Sequence, residues 1–129
     1  MKPGDTLFAS DRLTIRRSAA RQQYILYWSG ECDFRNPTEV LGPTLNGLQQ
    51  ELRDRQLVLD FRELTFMNSS SVTPILALVK GVCSRGIAVH LIYNANLSWQ
   101  RSTASSMRAL AHSLKNLTVA LQAPDEPAR

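Results

Sequence analysis

The chain has 129 residues, 43% of them hydrophobic and 20% charged, enough for one domain with a buried core and no need of disulfides or metals. Its 15 basic and 11 acidic residues give a net charge of +4. The basic residues are scattered singly apart from Arg16-Arg17, which argues against a clustered nucleic-acid patch, so no nucleic-acid partner is expected. Cys32 and Cys83 are the only cysteines and read as free thiols in a reducing compartment. His90 and His112 lie too far apart in sequence to suggest a metal site, and no cofactor is expected. No stretch approaches the roughly 18 apolar residues of a membrane span, and the N-terminus lacks a signal-peptide core. The expectation is a cytoplasmic protein without direct membrane insertion.

In chain order, residues 1–10 contain Pro3-Gly4 and little periodicity and read as a loose lead-in. Leu13-Thr14-Ile15 suggests a short edge strand, with Arg16-Arg17 discouraging pairing with other chains. Arg21-Gln22-Gln23 reads as a turn and Tyr24 to Trp28 as a strand, the two strands forming an antiparallel hairpin. Ser29-Gly30-Glu31-Cys32-Asp33 then leaves the sheet. Leu41, Leu45, Leu48 and Leu52 make a helical stripe, with Asn36-Pro37 as cap and first-turn proline. Pro43 would break an uninterrupted helix. The pattern therefore predicts a short turn near residues 37–41 and a regular helix from about Pro43 to Arg53.

Leu57, Val58 and Leu59 read as a buried strand ending at Asp60, a strand-end acid expected to face solvent. A brief connection, Arg62 to Met67, leads to Asn68-Ser69-Ser70-Ser71. After it, Val72, Ile75, Leu76, Val79 and Val82 fall on one helix face. Pro74 lacks an N–H, harmless only in a first turn, so the helix is expected to begin near Ser70 or Ser71. Arg85-Gly86 stops it. Ile87 to Ile92 is apolar on both faces, as in a strand covered on both sides, with His90 a core or face histidine. Ser98 caps a helix running to about Ser113, whose buried stripe would be Thr103, Met107, Leu110, Ala111 and Leu114. Leu117 to Leu121 is a last strand, and residues 122–129 are a polar tail. The fold class is α/β (α+β-like): a mixed sheet of about five strands with helices packed against it, in the order β-β-α-β-α-β-α-β, within a domain spanning 11–121.

Four small hydroxyl or amide side chains thus sit where a strand hands over to a helix, beside backbone N–H groups that have no partner within the helix. Serines in such a place commonly serve as caps. Three segments in order single this corner out: Gly30-Glu31-Cys32-Asp33, Leu57-Val58-Leu59-Asp60, and Phe66-Met67-Asn68-Ser69-Ser70-Ser71. Together they resemble the STAS domain family, the anti-sigma-factor antagonists of bacteria and their relatives in transporters. That family shows a Gly-Glu-Leu-Asp-like segment, an aliphatic strand ending in Asp or Asn, and a Phe-hydrophobic-Asp-Ser-Ser/Thr-Gly corner. The similarity spans residues 11–121 and implies the STAS fold.

In the regulatory members a partner kinase phosphorylates the second residue of the Ser-Ser/Thr pair. That position falls on Ser70, with Ser69 and Ser71 as alternatives. The implied partners are a serine kinase that also serves as an anti-sigma-factor-like protein, and a metal-dependent serine phosphatase. The expected partner-binding set is Asn68, Ser69, Ser70, Ser71 and Thr73 with Asp33, together with Trp99, which is expected to flank the corner because strand–helix loops in such sheets gather at one end. Asn68 replaces the usual Asp, keeping the capping ability but losing a charge. Ser71 replaces the usual Gly, adding a side chain where a partner would approach. A related branch of small bacterial regulators carries Asn-Ser-Ser here. The resemblance implies a non-enzymatic, phosphorylation-controlled binding regulator in a partner-switching pathway. The alternative is a STAS scaffold that is not phosphorylated, or a cytoplasmic subunit of a membrane transporter complex. A phosphate-binding glycine loop and an evident nucleophile–base pair are both missing from the sequence, which argues against an enzyme.

Overall fold

A computed structural model describes residues 4–128. Its elements are β1 (Asp5–Ala9), β2 (Leu13–Ala19), β3 (Gln23–Cys32), α1 (Pro37–Leu52), β4 (Gln56–Met67), a 3-10 turn (Ser69–Ser71), α2 (Val72–Ser84), β5 (Val89–Asn94), α3 (Ser98–Ala111) and β6 (Leu117–Gln122). The strands lie side by side in sequence order. β1, β2 and β3 pair antiparallel, and β3 to β6 pair parallel. The parallel strands β3 to β6 step across the sheet in one direction, and right-handed crossovers, the rule for such connections, then put all three helices on one face.

That face takes every second side chain of each strand. Tyr24, Leu26 and Trp28 of β3, Leu57, Leu59 and Phe61 of β4, and Val89, Leu91 and Tyr93 of β5 are buried beneath the leucines of α1 and Ile75, Leu78, Val79 and Val82 of α2. Trp28, Phe61 and Tyr93 form an aromatic row across three strands, with ring centroids 5.3 and 5.2 Å apart. Each large side chain buried in this way contributes about 1.5–3 kcal/mol. The alternating row as a whole therefore holds the helices to the sheet.

Several expectations are corrected. The lead-in is largely a strand: β1 adds a sixth member to the sheet, with half-buried Leu7 and Phe8 against the core and Phe8 set edge-on to Phe34. β2 is consequently an interior strand, and Arg17 does not guard an edge but binds Asp5 and Glu51. Residues 1–3 and 129 lie outside the described residues. α1 is one piece from Pro37, with Pro43 inside it. Pro43 is exposed and forfeits a single bond to the carbonyl of Glu39, itself exposed. Leu41, Leu45, Leu48 and Leu52, none more than 2% exposed, keep the stripe in register across it.

β4 is the largest departure, because the expected connection Arg62 to Met67 is strand. Asp60 is therefore no strand-end acid: it is 2% exposed and Arg62 is 4% exposed, both on the face away from the helices. The Arg62 guanidinium grips Asp60 through Nε to Oδ1 (3.0 Å) and Nη2 to Oδ2 (2.8 Å). Its Nη1 donates to the carbonyls of Ala123 (2.8 Å) and Glu126 (2.6 Å). The expected polar tail thus begins with Gln122 still in β6 and continues as a segment clasped across the sheet. In α3 the buried residues are Gln100, Ala104 and Met107, while Thr103, Leu110 and Ala111, and Leu114 just beyond the helix, are half-buried. The apolar stripe missed Gln100, which is fully buried because its amide bonds three backbone groups: Asn94 N–H and the carbonyls of Phe61 and Leu64.

Arg62→Met should lower stability in urea unfolding by about 3–5 kcal/mol, because the Asp60 charge would be left buried and unpaired. Pairing it with Asp60→Leu should recover much of that loss. Burial pushes the thiols of both Cys32 and Cys83 above the ordinary cysteine range. Both should resist alkylation at mildly alkaline pH in the folded protein and react once it is unfolded, read by intact mass.

Candidate functional site

The site grows from the end of β4, where Phe66 and Met67 still pair with Glu31 and Cys32 of β3. Asn68 keeps an extended backbone, and its N–H donates to the Cys32 carbonyl at 2.9 Å. Its side chain then works in two directions. Oδ1 accepts the Ser71 N–H at 3.1 Å, capping the turn, and Nδ2 donates to the Phe34 carbonyl at 2.9 Å. The chain turns through a single 3-10 loop whose closing N–H, on Val72, returns to the carbonyls of Ser69 and Ser70. Regular helix begins at Val72, slightly later than Pro74 alone suggested, and Pro74 is buried in its first turn.

The three serines part company here. Ser69 and Ser70 are exposed at the crest, and neither side chain takes part in the bonds that hold the turn. Ser71 is fully buried. Its Oγ is bonded to the Cys32 carbonyl, at 3.3 Å, and to Asn68 Oδ1. Against the expectation of Ser71 as an alternative phosphorylation site or a partner contact, its hydroxyl is inaccessible in this structure. Its hydroxyl points inward as a brace, so a side chain where Gly was expected adds nothing to the outer surface. Thr73, one turn beyond Ser70, is exposed.

Around this crest the structure gathers part of the expected set. Asp33 follows Cys32 and is exposed, with Arg12 Nη1 held 2.9 Å from its carboxylate and 3.6 Å from that of Glu31. The Asp11–Arg12 loop can press so closely because Gly30, at φ 98°, has no side chain; a Cβ there would lie 1.9 Å from the Arg12 carbonyl. Trp99 starts α3 at the same end of the sheet, half-buried against the core, and its buried Nε1 has no hydrogen-bond partner. It is bonded to none of the crest residues. Sequence reasoning missed Phe66, which is 48% exposed immediately before the turn. Its signal was the aromatic position of the corner motif, read there only as a landmark.

The Cys32 thiol is raised by burial, against which the Ser71 hydrogen bond works in the opposite sense. Among the described residues no group of His, Cys, Asp or Glu forms a potential metal site, and no helix is long and apolar enough to cross a membrane. Asn68→Ala removes both the cap and the tie to Phe34 and should cost about 1–2 kcal/mol in thermal or urea unfolding. Ser70→Ala should stay within about 0.5 kcal/mol of the parent.

No family model and no curated protein matches the chain. Among solved structures it is similar to an uncharacterized protein of the DUF3478 family from Shewanella loihica PV-4, described as having a SpoIIAA-like fold. The TM-score is 0.53 at 10% sequence identity, covering 95% of this chain and 91% of that one. So low an identity carries architecture and not activity. The chain has a SpoIIAA-like fold, the one found in STAS domains.

Proposed function

We propose that the protein is a phosphorylation-controlled binding regulator of the anti-sigma-factor-antagonist kind, acting in the cytoplasm, with Ser70 as its switch. The observation that carries the reading is the division among the serines. Asn68 and Ser71 lock the turn from beneath, leaving the Ser70 hydroxyl exposed and outside the bonds that hold it.

Phosphorylation at Ser70 would add about −1.5 to −2 charges and three acceptor oxygens. At the start of a helix such a charge is tolerated, with a favourable dipole contribution of about 0.3–1 kcal/mol. The fold then survives modification. A partner face packed against Ser70, Thr73 and Phe66 does not, since it would have to strip water from an unmatched phosphate. A loss of about 3 kcal/mol in binding is more than a hundredfold in affinity. Unmodified protein binds and phosphorylated protein is released. The partners are a serine kinase that also binds this surface and a metal-dependent phosphatase that resets it.

Incubation of a captured partner kinase with ATP and the protein should add one phosphate by intact mass, abolished in Ser70→Ala and retained in Ser69→Ala. Ser70→Asp should melt like the parent yet bind that kinase about a hundredfold more weakly. A folded Ser70→Asp variant with undiminished affinity would overturn the switch and leave a scaffold.

A further inference from the structure

The two edges of the sheet are built differently. At one edge β1 carries a register shift between Thr6 and Phe8, and its Asp5 is tied to Arg17. At the other, β6 reads Leu-Thr-Val-Ala-Leu-Gln, with no charge, no proline and an unshifted ladder to β5. Edge strands usually carry a charge, a proline or a bulge that discourages further pairing. β6 has none.

Its register settles which groups are open. The carbonyls of Asn116 and Gln122 accept the N–H groups of Val89 and Ala95, so the even-numbered residues between them turn their backbone toward β5. Leu117, Val119 and Leu121 therefore turn N–H and C=O outward, and nothing among the described residues pairs with them. Residues 123–126 run away from this edge, because Arg62 on β4 draws them inward across the sheet.

Between Glu63 and Asp125 every charged side chain is basic, Arg101, Arg108 and Lys115 among them. α3 lies over β5 and β6. Arg101 and Arg108 are seven residues apart and so share a face of α3, and both are exposed. Arg101 donates to the Ala95 carbonyl, while the Ala95 N–H bonds Gln122 at the end of β6. Lys115 stands just before the start of β6.

We infer that the outer edge of β6 is a second docking surface, which takes an extended acidic segment of a partner protein as an added strand. The open N–H and C=O groups call for a peptide backbone, which neither a nucleic acid nor a membrane supplies. A second copy of this chain would bring two cationic sets together, whereas a strand bearing Asp or Glu would neutralise Arg101, Arg108 and Lys115. This inference does not depend on the Ser70 switch.

The probes are two synthetic peptides as long as β6, one alternating valine with glutamate and one alternating valine with lysine. Amide hydrogen exchange is followed by NMR. The glutamate peptide should slow exchange at Leu117, Val119 and Leu121 by at least about tenfold, and the lysine peptide should not. Val119→Pro removes an outward donor without touching a bond to β5, and Arg101→Glu with Arg108→Glu reverses the local field. Each should weaken the glutamate peptide by at least about tenfold, and Ser70→Asp should leave it unchanged. Should Val119→Pro fail to fold in a thermal melt, the arginine pair decides alone. No protection by the glutamate peptide, equal protection by the lysine peptide, or undiminished binding to the folded variants would overturn the proposal. Protection that rises with protein concentration alone would assign the edge to a second copy instead and overturn it as well.

Discussion

The architecture depends on one mismatch in length: β4 has 12 residues and β5 has six. Their pairing ends at Asp60 and Ile92. Beyond that point one side of β4 is still held by β3, but its other side faces no strand. Buried carbonyls there would be costly if left unpaired. Side chains take over the missing ladder: Gln100 Nε2 donates to the carbonyls of Phe61 and Leu64, and Asn94 Nδ2 donates to the carbonyl of Arg62. With its flank satisfied, β4 can project past its neighbour and carry the Asn68–Ser71 turn out to the end of the molecule.

The same mismatch explains what could and could not be read from the sequence. Where burial follows a simple period, as in Tyr24 to Trp28, the leucines of α1 or the apolar face of α2, the elements were legible. The hairpin and the parallel crossovers followed. β4 was truncated because Asp60, Arg62 and Glu63 look like the end of an apolar run. Only the tertiary structure supplies each buried charge with its partner. Gln100 escaped for a related reason: a polar side chain that replaces a strand's hydrogen bonds has no periodic signature. β1 was missed because its apolar content is just Leu7 and Phe8, which gain their worth by covering the edge of β2 and meeting Phe34.

At the candidate site, residue types were legible and orientations were not. Three adjacent serines look equivalent in a string of letters. A 3-10 turn rotates successive residues by about a third of a circle, so one of the three had to face the protein. Ser71 is that one, because the Cys32 carbonyl and Asn68 lie directly beneath it. The proposed function draws its force from this sorting, in which the residues that hold the turn differ from those offered to a partner.

The clasp made by Arg62 has a consequence for how such chains should be compared. It grips main-chain oxygens at Ala123 and Glu126, and every amino acid supplies a main-chain oxygen. Much of the terminal segment is thus free to drift in letter while staying anchored in space. An alignment scored by residue identity would discard that terminus as noise, although its path is set from the middle of the chain.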